Sequence, residues 1–152
     1  MLSYQEALDH LLTAAVPVAE TKAVPLVAAR GRILAEAQVA TATVPPLDNS
    51  AMDGYAVRAA DTAGARPDAP RYLRVVGELH AGRAPDVAVE PGTAVRIMTG
   101  APIPPGADAV IQFELTTEAS SGSATAGRVG ILRPARPGGN VRRAGEDVRA
   151  GE

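Results

Sequence analysis

The chain contains no cysteine and no tryptophan, only one phenylalanine, and two well-separated histidines, His10 and His80. Missing thiols exclude a disulfide framework, a cysteine nucleophile and a zinc-thiolate site, and two isolated imidazoles do not make a metal centre. A metal bound here would be a hard cation on oxygen ligands. With aromatics at 3%, the core has to be assembled from Val, Ile, Leu and Ala. The same scarcity removes the stacking platforms used by readers of single-stranded nucleic acid. An excess of one charge is also lacking: 15 Lys and Arg against 17 Asp and Glu leave a formal net charge of -2. That balance argues against a surface devoted to nucleic acid or anionic membrane. The N-terminus carries Glu6 and Asp9 in place of a basic start, and Thr13 and Pro17 interrupt its apolar stretch. The expectation is a cytoplasmic protein with no signal peptide and no membrane span. Neither a GxGxxG following a strand nor a GxxxxGK[ST] is present.

What is present suits one domain-sized chain of 152 residues. Gly 15 and Pro 13 imply many turns while staying below the roughly 25% that marks disorder. Ser3-Tyr4-Gln5-Glu6 fits a capping box, and Tyr4, Ala7, Leu8, Leu11, Leu12 and Ala15 repeat at helical spacing, so an amphipathic helix opens the protein and stops at Pro17. A second short helix is expected near 27–35, with Gly31 tolerated inside it, and then a strand over 38–44. From Pro45 the pattern changes to short β-type runs at 55–57, 72–76, 94–98, 109–115 and 128–132. Residues 118–127, without apolar bulk, read as a hairpin tip, and 62–70 as a surface loop.

Two stretches concentrate chemistry. Pro45-Pro46-Leu47-Asp48-Asn49-Ser50-Ala51-Met52-Asp53-Gly54-Tyr55-Ala56-Val57 sets short oxygen-bearing side chains directly against an apolar strand. Asp53 is the leading candidate, because a carboxylate beside glycine leaves room for a ligand or metal, with Asp48, Asn49 and Ser50 as further oxygens. The competing reading is purely structural, since Asp-Gly is among the commonest hairpin turns. In Val95-Arg96-Ile97-Met98-Thr99-Gly100-Ala101-Pro102-Ile103-Pro104-Pro105-Gly106, the Thr99 hydroxyl falls where a strand opens into a loop, a usual place to meet ligand. Its alternative is a threonine satisfying its own turn. No histidine base is near in sequence, which argues against a nucleophilic threonine. Arg133, Arg136, Arg142, Arg143 and Arg149 lie among Gly138, Gly139 and Gly145, either as a phosphate-facing patch or as a solvated face paired with Glu146 and Asp147. Arg96 and Glu114 read as strand residues facing away from the core, with a cross-strand ion pair as their default.

These two stretches, together with Gly31-Arg32-Ile33-Leu34-Ala35, Ala107-Asp108-Ala109-Val110-Ile111 and Asn140-Val141-Arg142-Arg143-Ala144-Gly145-Glu146-Asp147, resemble the molybdopterin molybdenumtransferase family, relatives of gephyrin, in the family's order. The resemblance implies an α+β fold. In it an elongated α+β part, 1–44 plus 136–152, carries an inserted β-rich module, 45–135, of short, twisted antiparallel strands. It further implies that this is an N-terminal portion lacking the family's catalytic and C-terminal domains, inactive by itself. The implied activity is insertion of molybdate into adenylylated molybdopterin with release of AMP, dependent on magnesium, in a homodimer. Asp53 and Thr99 match the family's functional positions, and Asp53 is the implied magnesium contact. Asp48, Asn49, Ser50, Arg142 and Arg143, read from their own chemistry, are the expected substrate-binding residues. A non-catalytic dimerisation or scaffolding module is the alternative.

Overall fold

The computed structural model of the protein describes residues 2–118 and 127–152, so the expected hairpin tip falls outside the described residues save for its two ends. Contacts divide the chain into two compact units, Met1–Gln38 and Val39–Glu152.

In the first unit, helix α1 spans Tyr4–Ala14 and begins as expected. The Ser3 hydroxyl accepts the Glu6 N–H, while the Glu6 carboxylate accepts the Ser3 N–H at 2.7 Å, satisfying two donors that the helix itself cannot. The helix stops before Pro17, with Ala15 already extended. Its apolar side chains do not form a core: none is buried, and Leu11 remains 70% exposed. The helix expected near 27–35 is not there. A single 3-10 turn, Leu26–Ala28, is followed by Gly31 at φ 80°, which takes the backbone out of helical space. The glycine read as a tolerated helix residue is thus what prevents the helix.

The strand expected over 38–44 is reduced to an isolated bridge between Val44 and Val148. Val44 N–H donates to the Val148 carbonyl at 2.9 Å, and Ala40 exchanges hydrogen bonds with Gly151 and Glu152, so 40–45 runs beside 145–152 with interrupted pairing. Pro45 and Pro46 have no N–H to continue a ladder.

The rest of this unit is mostly sheet, curled into a half-barrel. Strands β1 (Asn49–Ser50) and β7 (Val141–Arg142) form a small antiparallel pair. The main sheet holds β2 (Gly54–Val57), β3 (Arg71–Leu79), β4 (Thr93–Ile97), β5 (Ala109–Gln112) and β6 (Arg128–Ile131) in the order β5-β2-β4-β3-β6. It is not wholly antiparallel as expected, because β3 and β4 pair in parallel. Residues 80–92 between them are about the dozen that a parallel crossover requires. The run at 109–115 is likewise a shorter strand followed by a 3-10 turn, Phe113–Leu115. After that turn, Thr117 N–H donates to the Gly130 carbonyl at 2.8 Å, so the chain that forms one sheet edge as β5 ends against β6 at the other. This return is what curls the sheet.

Both faces of the sheet are covered. Tyr55, Val57, Leu73, Ala94, Ile111, Val129 and Ile131 fill one side, and Ala56, Leu79, Val95, Ile97 and Val110 the other. Strand β2 is therefore buried along its whole length instead of alternating. Leu73 and Leu79 lie on opposite faces despite their even spacing, because a register shift between Val75 and Gly77 inverts the alternation. The loop read at 62–70 is anchored at its start. Buried Thr62 donates its hydroxyl to the Ala59 carbonyl at 2.7 Å and accepts the Ala135 N–H at 2.8 Å.

Gly54 is the tightest point. A Cβ there would lie 1.9 Å from the Ile111 carbonyl oxygen and 2.9 Å from the Gln112 Cα, both backbone atoms that cannot step aside. Gly54→Ala is expected to destabilise the fold by about 3 kcal/mol or more, read as a large drop in the urea unfolding midpoint; an unchanged midpoint would contradict this packing. Thr62→Val, which orphans the Ala135 N–H, should cost about 1–3 kcal/mol in the same measurement, and a neutral result would mean that the hydrogen bond is not made.

Candidate functional site

The Asp53-Gly54 pair is not a hairpin turn. Gly54 is the first residue of β2, registered with Ile97 on one side and Gln112 on the other, and Asp53 sits just ahead of it at the strand entrance. The loop leading in is held at several points. Ser50 N–H donates to the Ala101 carbonyl at 2.9 Å, Gly100 N–H to the Ser50 carbonyl at 2.8 Å, and Ala51 N–H to the Asn140 carbonyl at 3.0 Å. Phe113 N–H donates to the Asp53 carbonyl at 3.0 Å. The carboxylate is exposed, but its backbone is bound on both sides.

Thr99 is the second residue of a turn, Met98–Ala101, closed by Ala101 N–H donating to the Met98 carbonyl at 3.0 Å, with Gly100 at φ 80°. The two leading candidates, separated widely in sequence, meet directly. Asp53 Oδ1 accepts the Thr99 backbone N–H and the Thr99 hydroxyl, each at 2.7 Å. These two bonds, backbone first, hold the Asp53 carboxyl below its ordinary range, and the Arg96 guanidinium adds to the effect against a small opposing cost of burial. An ionised carboxylate has no proton to give, so the Thr99 hydroxyl is the donor and its lone pairs face outward. Asp53 Oδ2 has no hydrogen-bond donor among the described residues. Asp53, Gly54, Arg96, Met98, Phe113 and Glu114 line an open cleft of about 260 Å³.

The other candidate residues lie in different settings. Ser50 is fully buried, and its hydroxyl donates to the Met52 carbonyl at 2.5 Å, closing the loop that carries Asp53. Asn49 pairs with Arg142 across β1 and β7, and its amide donates to the Leu47 carbonyl at 3.2 Å. Asp48 accepts from the Ala144 N–H at 2.8 Å and from Arg143 at 2.6 Å, which lower its carboxyl's pKa in that order of weight. Arg142 donates to Asp147 at 2.5 Å and lies 3.5 Å from Glu146; these partners raise its pKa. Asp48 therefore holds 48–50 against 141–147 through Arg143 and the Ala144 N–H, whereas the Arg142 ion pairs stay within 141–147. Arg96 makes a cross-strand ion pair, as expected of its position, and the partner is Glu78 at 3.7 Å. Glu114 is exposed and has no ion pair among the described residues.

One group went unnoticed in the sequence. Tyr55 donates its hydroxyl to the Glu118 carboxylate, with both side chains buried, and Glu118 Oε1 lies 3.4 Å from Arg96 Nη1. Burial, then the Glu118 hydrogen bond, raise the Tyr55 pKa far above its ordinary range. Glu118 begins a polar stretch, so no local pattern could have marked it as buried. Asn140 was likewise visible only inside a motif. It stands at φ 54°, donates its side-chain amide to the Val110 carbonyl at 2.9 Å, and supplies the carbonyl that holds Ala51.

No helix among the described residues is long and apolar enough to cross a membrane, and no group of three His, Cys, Asp or Glu side chains is arranged around a common point. Among the described residues, Asp53 and Glu114 are the carboxylates that line the cleft, and Asp53 is the one with an oxygen held by Thr99 and an oxygen left without a donor.

Known proteins resemble the chain throughout. It is 45% identical over 148 residues to molybdopterin molybdenumtransferase 2 of Mycobacterium tuberculosis (strain CDC 1551 / Oshkosh), covering 97% of this chain and 34% of that protein. It is 40% identical over 154 residues to molybdopterin molybdenumtransferase of Synechococcus elongatus (strain ATCC 33912 / PCC 7942 / FACHB-805), covering 99% and 36%. The chain thus spans about a third of the length of the curated relatives it matches. The crystal structure of the molybdopterin biosynthesis moeA protein from Pyrococcus horikoshii OT3 superposes with a TM-score of 0.81 at 41% identity, over 100% of this chain and 38% of that one. A family model described as the MoeA N-terminal region, domains I and II, matches residues 2–152, and the chain belongs to that family.

Proposed function

We propose that this chain is the N-terminal portion of an enzyme that inserts molybdate into adenylylated molybdopterin with release of AMP, in molybdenum cofactor biosynthesis. The observation that carries the reading is the Asp53–Thr99 constellation at the cleft, where a threonine donates two hydrogen bonds to one carboxylate oxygen and leaves the other without a donor. Family membership supplies the substrate class. The substrates are molybdate and a phosphoanhydride, so the chemistry is governed by where charge is held, with no covalent enzyme intermediate required.

In this reading Asp53, with one carboxylate oxygen left without a protein donor, would hold a divalent cation. Bound magnesium supplies neutralisation of the phosphoanhydride and of the departing AMP phosphate. Thr99 fixes the carboxylate's rotamer and keeps it ionised. Because its hydroxyl proton is committed to Asp53, Thr99 meets ligand only as an acceptor, from a donor on the pterin or a bound water. Ser50 and Asn140 act at one remove, by fastening the loop that carries Asp53. The partners are adenylylated molybdopterin, molybdate and a second copy of the chain; apolar side chains exposed on residues 2–38, such as Tyr4, Leu11, Val27 and Ile33, are a surface that a second copy would cover.

In the full-length protein, Thr99→Ala is expected to slow AMP release by about 10- to 100-fold, the usual effect of losing the residue that orients a metal-holding carboxylate. Asp53→Asn should be at least as damaging and should raise the magnesium concentration required. Wild-type turnover in both variants would remove them from the site. The carboxyl itself offers a separate check. In an NMR titration Asp53 should show a midpoint below 3.8, moving upward in Thr99→Ala. The sign follows from linkage: a carboxyl with a depressed folded pKa stabilises the fold above its unfolded value, and this is lost only as pH falls through the folded one. Asp53 therefore contributes no pH dependence above pH ~5, and an activity profile with an acidic limb near neutrality must come from another group.

A further inference from the structure

The cleft contains one cation, Arg96, and its surroundings are built in a way the proposed role of Asp53 does not require. Arg96 lies in β4, registered against Tyr55 of β2 and Glu78 of β3. Glu78 reaches that position only because of the register shift between Val75 and Gly77; in a regular ladder it would be opposite Ile97 on the other face. The bulge packs closely at Gly77, where a Cβ would sit 2.8 Å from a Val87 methyl and force that side chain to shift. From the other direction comes Glu118, whose side chain is 4% exposed. A carboxylate this deeply buried is tolerated only with partners, and Glu118 has two: the Tyr55 hydroxyl on Oε2 and Arg96 Nη1, 3.4 Å from Oε1. Arg96 is thus fixed between Glu78 and Glu118, 38% exposed at the cleft wall, and its Nη2 has no acceptor among the described residues.

We propose that Arg96 is a phosphate-binding residue of this cleft, and that Glu118, with Tyr55 behind it, is the positioning residue that aims its guanidinium. The proposal rests on the molybdopterin reading above and deepens it. A long flexible side chain near a strand end would swing among rotamers; carboxylates against Nε and Nη1 hold the planar fork from two directions and leave the Nη2 donors without a protein acceptor among the described residues. Asp53 and Glu114 also border the cleft, so without a cation it does not favour an anion. With a divalent cation on Asp53 the local balance turns positive. Arg96 would then offer its unpaired Nη2 donors to a phosphoanhydride oxygen. The site is in this sense built for a metal-bound polyphosphate and not for a free one.

The test uses the full-length protein and two readouts: KM and kcat for adenylylated molybdopterin, and the dissociation constant of inorganic pyrophosphate by calorimetry, with and without magnesium. Arg96→Gln is expected to raise KM and weaken magnesium-dependent pyrophosphate binding by about tenfold or more, with kcat less affected. Glu118→Gln, which keeps volume but removes the charge, should shift the same two quantities by about threefold or more while leaving the magnesium requirement set by Asp53 unchanged. A merely structural glutamate would lower the unfolding midpoint and leave both untouched. Should Arg96→Gln not fold, Arg96→Lys decides: loss of the planar fork is expected to weaken pyrophosphate about threefold, and wild-type affinity overturns the proposal. Asp53→Ala separates the two ideas. Wild-type KM in the Arg96 variants beside an inactive Asp53→Ala sinks this inference alone, whereas an active Asp53→Ala sinks the reading beneath it.

Discussion

The absence of a side chain at residue 54 is the constraint on which the site depends. At Gly54 the backbone of β2 passes between β4 and β5 so closely that a methyl group would overlap the Ile111 carbonyl. This close passage lets the Asp53 carbonyl receive the Phe113 N–H and brings the Asp53 carboxylate to the end of β4, where Thr99 waits in its turn. A wider strand entrance would separate the two. The site is in effect a consequence of sheet packing, and its rigidity is borrowed from strands that are buried on both faces.

Charge is distributed with a similar economy. Of the arginines near the two dense motifs, Arg142 is neutralised within its own segment by Asp147 and Glu146, and Arg143 by Asp48, a pair that ties the start of the Asp53 loop to 141–147. These pairs are well exposed and add little to stability; Arg143–Asp48 alone registers two distant segments. Arg96 differs. Its partner Glu118 is buried and bonded also by the Tyr55 hydroxyl, and Arg96 lines the cleft. The contrast between exposed pairs and an arginine anchored on a buried carboxylate is how a chain with so balanced a composition can still present one directed cation.

Much of this was legible beforehand. The capping box at Ser3 and Glu6, the apolar runs of β2, β4, β5 and β6, and Asp53 and Thr99 as the leading oxygen-bearing candidates all follow from local chemistry and spacing, or from a resemblance carried by ordered motifs. Other features were not. The helix near 27–35 failed because Gly31 adopts a positive φ, which helical periodicity alone does not reveal. The parallel pairing of β3 with β4 depends on where a crossover lands, and the bulge at Val75–Gly77 moves a whole set of side chains to the other face without any change in composition. Glu118 looks like the start of a polar loop and is instead buried against Tyr55.

By itself the sequence determined which chemistries are open to this protein: no thiol, no imidazole cluster, an aliphatic core, and carboxylate and hydroxyl groups at glycine-flanked strand ends. These are properties of residue type and short-range spacing, and need no fold to be read. Only the tertiary structure decided which of those oxygens act together. The Asp53–Thr99 contact, the burial of Ser50 and Glu118, and the aiming of Arg96 join residues far apart in the chain through strand register and close backbone approach, and register is set by the packing of the whole sheet and not by any segment within it.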